Sequence, residues 1–288
     1  MRLLAAELLK IRRRTATWVV LGLIVVLTLL IQALSAPSAE MLGAAVSFPE
    51  AWRGIGDYPF GGLGTMLAVA YAAALAGADW NWGVLRNIIA RGESRTLYVL
   101  IKALALAIVL AIAALLLMAI GFAFTLLLAL LADRSIGDPF SAAGLAALRD
   151  QVLLGYPVLL ERAAIGFAVA VTLRSQLAGV IVGIVFFIGE SIVRTTLTLT
   201  AIGAGGLGGV FGQGDRLPPQ WFQYLPFGIG DEVRAAAIGQ GNPLEGGDFI
   251  GLFLTRVPLL EALLVLGIYV AVALGISVVR AQREEIVA

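Results

Sequence analysis

Long apolar runs without charge, separated by shorter polar segments, extend over most of the chain. A helix needs about 20 mostly apolar residues to cross the roughly 30 Å hydrocarbon core of a bilayer. Six segments meet this requirement, namely residues 16–34, 61–78, 103–132, 152–173, 177–200 and 249–279. The third is longer than one crossing needs, so we expect it to tilt, to kink near Gly121 or to project from the bilayer. The pattern predicts an all-α polytopic membrane protein with six transmembrane helices.

Composition agrees with this pattern and excludes several kinds of chemistry. Hydrophobic residues make up 60% of the chain and charged residues 14%, whereas soluble domains average about 45–50% and about 25%. The sequence contains no Cys and no His, which excludes disulfides, thiolate or imidazole metal sites and membrane enzymes that rely on His. We therefore treat residues 1–288 as a single transmembrane domain. We expect no catalytic, metal or cofactor residues on it, and its net charge of +1 gives no case for binding nucleic acid.

The distribution of charge predicts the orientation of the helices. Cytoplasmic loops of membrane proteins carry an excess of Lys and Arg. With the N-terminus inside, the cytoplasmic segments are 1–15, 79–102, 174–176 and 280–288, and they hold 12 of the 20 basic residues but 5 of the 19 acidic ones. The three outer loops hold 5 basic and 11 acidic residues. This asymmetry predicts that both termini are cytoplasmic.

The first fifteen residues form a basic, amphipathic segment. Leu4, Leu8 and Ile11 recur at helical spacing, with Glu7 and Lys10 on other faces, as in a helix that lies in the membrane interface. The alternative is a basic flank with no structure of its own. We expect the interfacial helix, followed by a retained first span rather than a cleaved signal sequence.

The segment after the second span, residues 79–102, combines aromatic, basic and apolar positions. Val84, Leu85, Ile88 and Ile89 repeat at helical spacing. A cytoplasmic loop that displays such a face either docks on a partner or lies on lipid, and the residues alone leave both possibilities open. Gly92 ends the pattern, and we expect Ser94 to cap the next helix.

This segment resembles a known family motif. Gly83-Val-Leu-Arg-Asn-Ile-Ile-Ala-Arg-Gly-Glu-Ser-Arg, with Lys102 seven residues on, is similar to the G-T-L-R-x-L-L-x-R-x-x-S-R…K segment of ABC type-2 transporter permeases. In that family the segment forms the coupling helix that touches the ATPase subunit. The resemblance implies this contact for Asp79, Gly83, Leu85, Arg86, Ile88, Ile89, Arg91 and Arg95. It also extends to the basic N-terminal helix, to the tight turn between spans four and five, and to the outer loop 201–248, which carries Tyr224-Leu-Pro-Phe.

The resemblance implies a function and a set of partners. The chain would be the permease subunit of a bacterial ABC exporter in the cytoplasmic membrane, carrying an amphiphilic, peptide, drug or lipid-like substrate. Because the sequence has no G-x-x-x-x-G-K-[ST] motif, ATP and Mg would bind a separate ATPase subunit, present in two copies. A second permease chain, identical or paralogous, would complete the pathway. The alternative is an ion-coupled secondary transporter or channel that uses intramembrane carboxylates, and a third possibility is a membrane scaffold without transport.

Several ionisable residues lie within the predicted spans, where a charge costs about 2.5–3.5 kcal/mol on insertion scales and therefore suggests a function. Glu161 and Arg162 are adjacent, so they point in different directions and pair poorly. Glu190 and Arg194 are four residues apart and either neutralise each other or face the pathway. We take Glu161, Glu190 and Arg194 as pathway candidates, with Glu161 the strongest.

Span five carries a motif for close helix packing. Gly179 and Gly183 form G-x-x-x-G, which lets helix backbones approach each other. The sequence does not indicate whether the partner is another helix of this chain or a second permease chain.

Overall fold

The structure of the chain, a computed structural model, describes residues 2–34, 46–81, 94–205, 221–237 and 257–283. About 90% of it is helical, and the described residues contain no strand. They form nine α-helices and one short 3-10 helix: α1 (Arg2–Arg13), α2 (Thr15–Leu34), α3 (Glu50–Phe60), α4 (Gly62–Asn81), α5 (Arg95–Leu131), α6 (Ala142–Leu173), α7 (Gln176–Gly205), η1 (Trp221–Tyr224), α8 (Pro226–Ala237) and α9 (Leu259–Gln282). The predicted all-α class is confirmed.

Five of the described helical stretches are long and apolar enough to cross a membrane, namely Glu50–Trp80, α5, α6, Gln176–Thr200 and α9. A sixth crossing is added if α1 and α2, which meet at an angle of 61°, are counted as one bent pair. The five single stretches correspond to predicted spans two to six, with differences in extent. The second, third and fourth begin earlier than predicted, at Glu50, Arg95 and Ala142, and the last helix begins at Leu259, while residues 249–256 lie outside the described part of the chain.

The long third span is one uninterrupted helix from Arg95 to Leu131, and it passes through Gly121 without a break. Ser94 caps its first turn by accepting a hydrogen bond from the backbone N–H of Leu97, as predicted. Gly121 allows a close approach, since a side chain there would meet the ring of Tyr58 at 3.1 Å. The glycine expected to kink α5 instead provides space for α3.

Helix α3 lies where the sequence pattern predicts a loop. Charged residues, glycines and Pro59 interrupt the apolar pattern of α3 in the sequence. In the structure one face of the helix carries Trp52, Ile55 and Phe60, and these side chains are buried. Trp52 stacks on Phe122 of α5, with ring centroids 5.2 Å apart. The helix ends at Gly61, whose backbone N–H donates to the carbonyl of Asp57, and α4 continues from there.

Helix α6 is the centre of the bundle and packs against α3, α4, α5, α7, α8 and α9. Its closest approach is to α4, where a side chain at Gly166 would collide with the backbone of Val69. The turn into α7 is tight, because Arg174 adopts a left-handed conformation with φ of 54°. Helices α7 and α9 lie on either side of α6, and in the described residues they share no extended interface with each other.

The bundle has two chemically distinct ends. We name the Asp79 end after the residue at the end of α4, where α1 and the beginning of α5 also lie. We name the Asp231 end after the residue on α8, where α3 and η1 lie. Many apolar side chains on the outer faces of α2, α5, α7 and α9 are exposed, as expected for helices that face lipid.

Candidate functional site

A buried carboxylate at the Asp79 end joins three helices. Asp79 is 3% exposed, and its Oδ1 accepts a 2.7 Å hydrogen bond from Lys10 Nζ of α1. Its Oδ2 accepts from the Tyr98 hydroxyl and forms an ion pair with Lys102, both on α5. Lys102 is also 3% exposed, so the charges of Asp79 and Lys102 neutralise each other away from solvent.

This cluster attaches the amphipathic helix α1 to the bundle. Glu7 lies 3.5 Å from Lys10 on the same helix, and Ile11 is buried in the apolar core. Thr17, just inside α2, shares a 2.9 Å hydrogen bond with the hydroxyl of Tyr71 on α4. The N-terminal segment is therefore packed against the end of α4 and the beginning of α5.

The residues implied for ATPase contact are only partly described. Arg95 donates from Nη1 to the backbone carbonyl of Gln282 at 3.1 Å, which places a cation at the negative end of α9. Asp79 is buried, so within this chain it joins helices and does not form exposed surface. The remaining residues of the predicted contact lie outside the described residues: Gly83, Leu85, Arg86, Ile88, Ile89 and Arg91.

A second ionic cluster holds α8 at the other end of the bundle. Arg162 of α6, which is 2% exposed, donates to Asp231 Oδ1 at 2.5 Å and to Thr65 Oγ1 at 2.7 Å. Its Nη2 also donates to the carbonyl of Phe227 at 3.2 Å. Arg194 of α7 donates to the other Asp231 oxygen at 2.5 Å. One carboxylate on α8 thus binds two arginines on two different spans.

The two carboxylates within the spans differ sharply in their partners. Glu190 of α7 accepts a 2.8 Å hydrogen bond from the backbone N–H of Gly228, in the first turn of α8, where helix N–H groups need acceptors. Glu161 of α6 is 0% exposed, and neither of its oxygens has a hydrogen-bond partner in the described part of the chain. Glu190 therefore has a structural role as a cap, whereas Glu161 is buried without a partner.

A cavity of about 360 Å³ lies between α6, α7 and α9. It extends from Thr172 and Ile276, near the Asp79 end, to Tyr269 and Pro226, below α8. Its walls are almost wholly apolar. The hydroxyl of Tyr269 donates to the carbonyl of Tyr224 at 2.8 Å, which ties this ring to η1.

The geometry bears on one of the two interpretations of Glu190 and Arg194. In the described residues no ion pair joins them: Arg194 binds Asp231, and Glu190 binds the backbone of α8. Two separate links from α7 to α8 take the place of a self-neutralising pair. The third charged candidate, Glu161, does not share these links.

The G-x-x-x-G residues of α7 pack inside this chain. A side chain at Gly179 would meet Ala170 of α6 at 2.5 Å, and one at Gly183 would meet Val69 of α4 at 3.0 Å. Both glycines therefore face helices of their own chain: Gly179 faces α6 and Gly183 faces α4.

Two functional positions were missed from the sequence. Lys10 was assigned to the polar face of α1, although it contacts Asp79 across 69 positions of the chain. Asp231 was counted as an outer-loop charge, although it binds two arginines within the spans. The available signal was the need of Arg162 for a counterion, because a buried guanidinium requires one. The sequence offered no means of choosing among the acidic residues.

An apolar helical bundle with a basic amphipathic N-terminal helix and charged clusters at both ends is the architecture of a polytopic membrane protein. A family model described as ABC-2 family transporter protein matches residues 3–190. The chain belongs to this family, which confirms the resemblance seen in residues 83–95. No curated protein matches the chain.

Proposed function

We propose that the chain is the permease subunit of an ATP-driven ABC exporter. The family match over residues 3–190 carries this proposal, because it covers α1 to the middle of α7, including the segment that resembles the coupling helix. It favours ATP-driven transport over the ion-coupled alternative. The chain then contributes the membrane pathway, and a separate ATPase subunit binds ATP and Mg.

The Asp79 end is proposed to face the cytoplasm, with both termini on that side. The excess of Lys and Arg in the segments at this end supports the orientation. Helix α1, with Lys10, Arg12 and Arg13 in its last turn, would lie along the anionic cytoplasmic leaflet. The host membrane is proposed to be the bacterial cytoplasmic membrane.

The Asp79 cluster supports a route for coupling. Closure of the ATPase pair on ATP would press on residues 79–95, and Asp79 would transmit this motion to α1 through Lys10 and to α5 through Lys102. In this proposal Arg86 and Arg91 meet the ATPase surface, while Asp79 positions the segment from within. The route uses no catalytic group of the chain itself.

The complete transporter is proposed to contain two permease chains, identical or paralogous, and two ATPase subunits. The broad apolar exposure of α2 and α7 supports burial against a second permease chain or lipid. The cavity between α6, α7 and α9 supports outward transport of a substrate with an apolar body.

Co-purification and charge reversal test this function. We expect an ATPase subunit to purify with the tagged chain. We also expect Arg86→Glu/Arg91→Glu to reduce its capture at least fivefold, because the two introduced carboxylates would repel the acidic groups that the arginines are proposed to contact. The matched control is Arg134→Glu/Arg149→Glu, which makes the same change in charge on exposed residues at the Asp231 end. Absence of any ATPase from the purified wild-type complex, together with transport that needs no ATP, would overturn the proposal.

A further inference from the structure

A second cavity, of about 400 Å³, lies between α2 on one side and α4 and α5 on the other. We name it the α2 groove. Leu8, Ile11 and Arg12 of α1 line the end at which α1 and α2 meet. Along α5 the groove extends from Ile108 to Leu117, which is about 14 Å at about 1.5 Å per residue. It therefore runs along the spans, away from the junction of α1 and α2.

The walls of the α2 groove are apolar and its rim is exposed. Leu21 of α2, Leu67 of α4 and Leu110 of α5 all line it. Trp18 and Ile112 also line it and are 59% and 61% exposed. In a membrane such exposed apolar side chains lie against lipid. An acyl chain of the bilayer can therefore enter the groove from the side.

One end of the α2 groove carries a positive charge that the described chain leaves available. Arg12 lines the groove, is exposed, and has no acidic partner in the described residues. Lys10, two positions earlier, pairs with both Glu7 and Asp79. The charge of Lys10 is thus engaged within the protein, whereas the guanidinium of Arg12 can meet an anion from outside.

Arg12 also lies at the level expected for lipid headgroups. Helix α1 is amphipathic and meets the apolar helix α2 at an angle of 61°, so their junction belongs at the membrane interface. The indole N–H of Trp18 donates to the carbonyl of Arg12 at 2.9 Å, and Trp is enriched at this level of the membrane. A molecule in the groove therefore meets a cation at the interface and apolar walls below it.

We propose that the α2 groove binds one anionic phospholipid, with its phosphate on Arg12 and an acyl chain between α2 and α5. The planar guanidinium matches a phosphate group with two parallel hydrogen bonds. The volume of about 400 Å³ falls within the range of ligand pockets, about 300–1,000 Å³. The inference goes beyond the proposed function: the lipid is a bound component that ties α1 to α2 and α5, whatever the transporter carries.

Two lipids with the same acyl chains test the role of Arg12. Dioleoylphosphatidylglycerol is anionic, whereas dioleoylphosphatidylcholine has no net charge. Native mass spectrometry of the purified full-length chain, titrated with each lipid in detergent micelles, measures the Kd of the first bound lipid. We expect this Kd to be at least tenfold lower for the anionic lipid. Arg12→Gln is expected to raise it at least fivefold. The control Arg13→Gln removes the same charge from an exposed neighbour that does not line the groove, and we expect it to change the Kd less than twofold.

A second pair of variants tests the groove without altering its charge. Ile112 lines the groove and is 61% exposed, whereas Leu115 is 57% exposed and does not line it. Because both side chains are exposed, replacing either with Trp leaves the core unchanged. Ile112→Trp narrows the groove, and we expect it to raise the Kd of both lipids at least threefold. Leu115→Trp is expected to leave both values unchanged.

Three results would overturn the proposal. Equal effects of Arg12→Gln and Arg13→Gln would mean that the basic helix as a whole attracts the lipid. Equal effects of Ile112→Trp and Leu115→Trp would mean that the acyl chain lies elsewhere. A dimer that Ile112→Trp dissociates without a change in lipid affinity would assign the groove to a second copy of the chain. Because the assay contains neither an ATPase nor ATP, each of these results leaves the proposed function to its own test.

Discussion

Lys10 Nζ donates a 2.7 Å hydrogen bond to Asp79 Oδ1, and this contact joins the amphipathic N-terminal helix to the end of α4. Asp79 opens the segment that resembles the coupling helix, and Lys10 lies on the helix expected at the membrane interface. Their contact ties these two segments to each other through a buried charge.

Loss of the Asp79 charge is expected to destabilise the chain through Lys102. Asp79→Asn leaves the Lys102 ammonium, which is 3% exposed, without a counterion. Breaking a buried ion pair on one side costs about 3–5 kcal/mol, so we expect a loss of this size in the free energy of unfolding. Denaturant titration of the purified chain in detergent micelles measures it.

The same cluster provides the control for this prediction. Asp79→Asn/Lys102→Met removes both charges, and we expect it to recover most of the lost stability, because no buried charge then remains unpaired. Lys10→Met removes a partly exposed partner and costs about 1 kcal/mol or less. Equal losses for Asp79→Asn and the double variant would show that Lys102 does not need Asp79.

The two arginines that bind Asp231 are expected to differ in their contributions. Arg162 is 2% exposed and also bonds to Thr65 and Phe227, whereas the Arg194 side chain is 21% exposed. Arg162→Met leaves the hydroxyl of Thr65 and the carbonyl of Phe227 without their donor, and we expect it to cost about 3–5 kcal/mol. Arg194→Met is expected to cost about 1 kcal/mol, because solvent screens its charge.

The accessibility of α8 provides a second measurement of the contributions of Arg162 and Arg194. The chain has no Cys, so a single Ala236→Cys, at an exposed position of α8, reports on its environment through the rate of maleimide labelling. We expect Arg162→Met to accelerate labelling more than Arg194→Met does. Equal rates in both backgrounds would mean that Arg162 does not hold α8 in place.

How much of the fold and of the site could be predicted from the sequence depended on how far apart along the chain the contacting residues lie. The long apolar helices, the N-terminal helix and the Ser94 cap follow from local periodicity and neighbouring residues, and the structure shows these helices and this cap. The link between Arg162 and Asp231 crosses 69 positions, and local pattern carries no information about it. Helix α3 was missed for a different reason: its polar residues and Pro59 interrupt the apolar pattern of a face that packs on α4, α5 and α6.

The pathway candidates also show that local pattern predicts geometry within one helix but not contacts between distant helices. Four-residue spacing predicted that Glu190 and Arg194 could pair, but α8 supplies better partners to each. The sequence predicted that Glu161 and Arg162 point apart, because adjacent helix positions lie about 100° from each other. It could not show that Arg162 finds partners while Glu161 finds none, since this depends on helices from distant parts of the chain.

Orientation can be tested directly because the natural sequence lacks Cys. Ser135→Cys and Arg283→Cys place single thiols at exposed positions on the loop after α5 and at the end of α9. With cytoplasmic termini, we expect an impermeant maleimide to label position 135 in intact cells and position 283 only after permeabilisation. The opposite pattern would reverse the topology and place the Asp79 end outside.

Close packing of α6 on α4 yields the last prediction. A methyl group at Gly166 would collide with the backbone of Val69, which cannot move aside as a flexible side chain could. We expect Gly166→Ala to cost about 1–3 kcal/mol of unfolding free energy, as overpacking typically does. At Gly267 of α9 nothing lies within 4 Å of an added Cβ. Gly267→Ala is therefore expected to cause no loss and a gain of up to about 1 kcal/mol, because alanine restricts the unfolded chain more than glycine does. Equal effects of the two variants would show that α4 and α6 are not in backbone contact at Gly166.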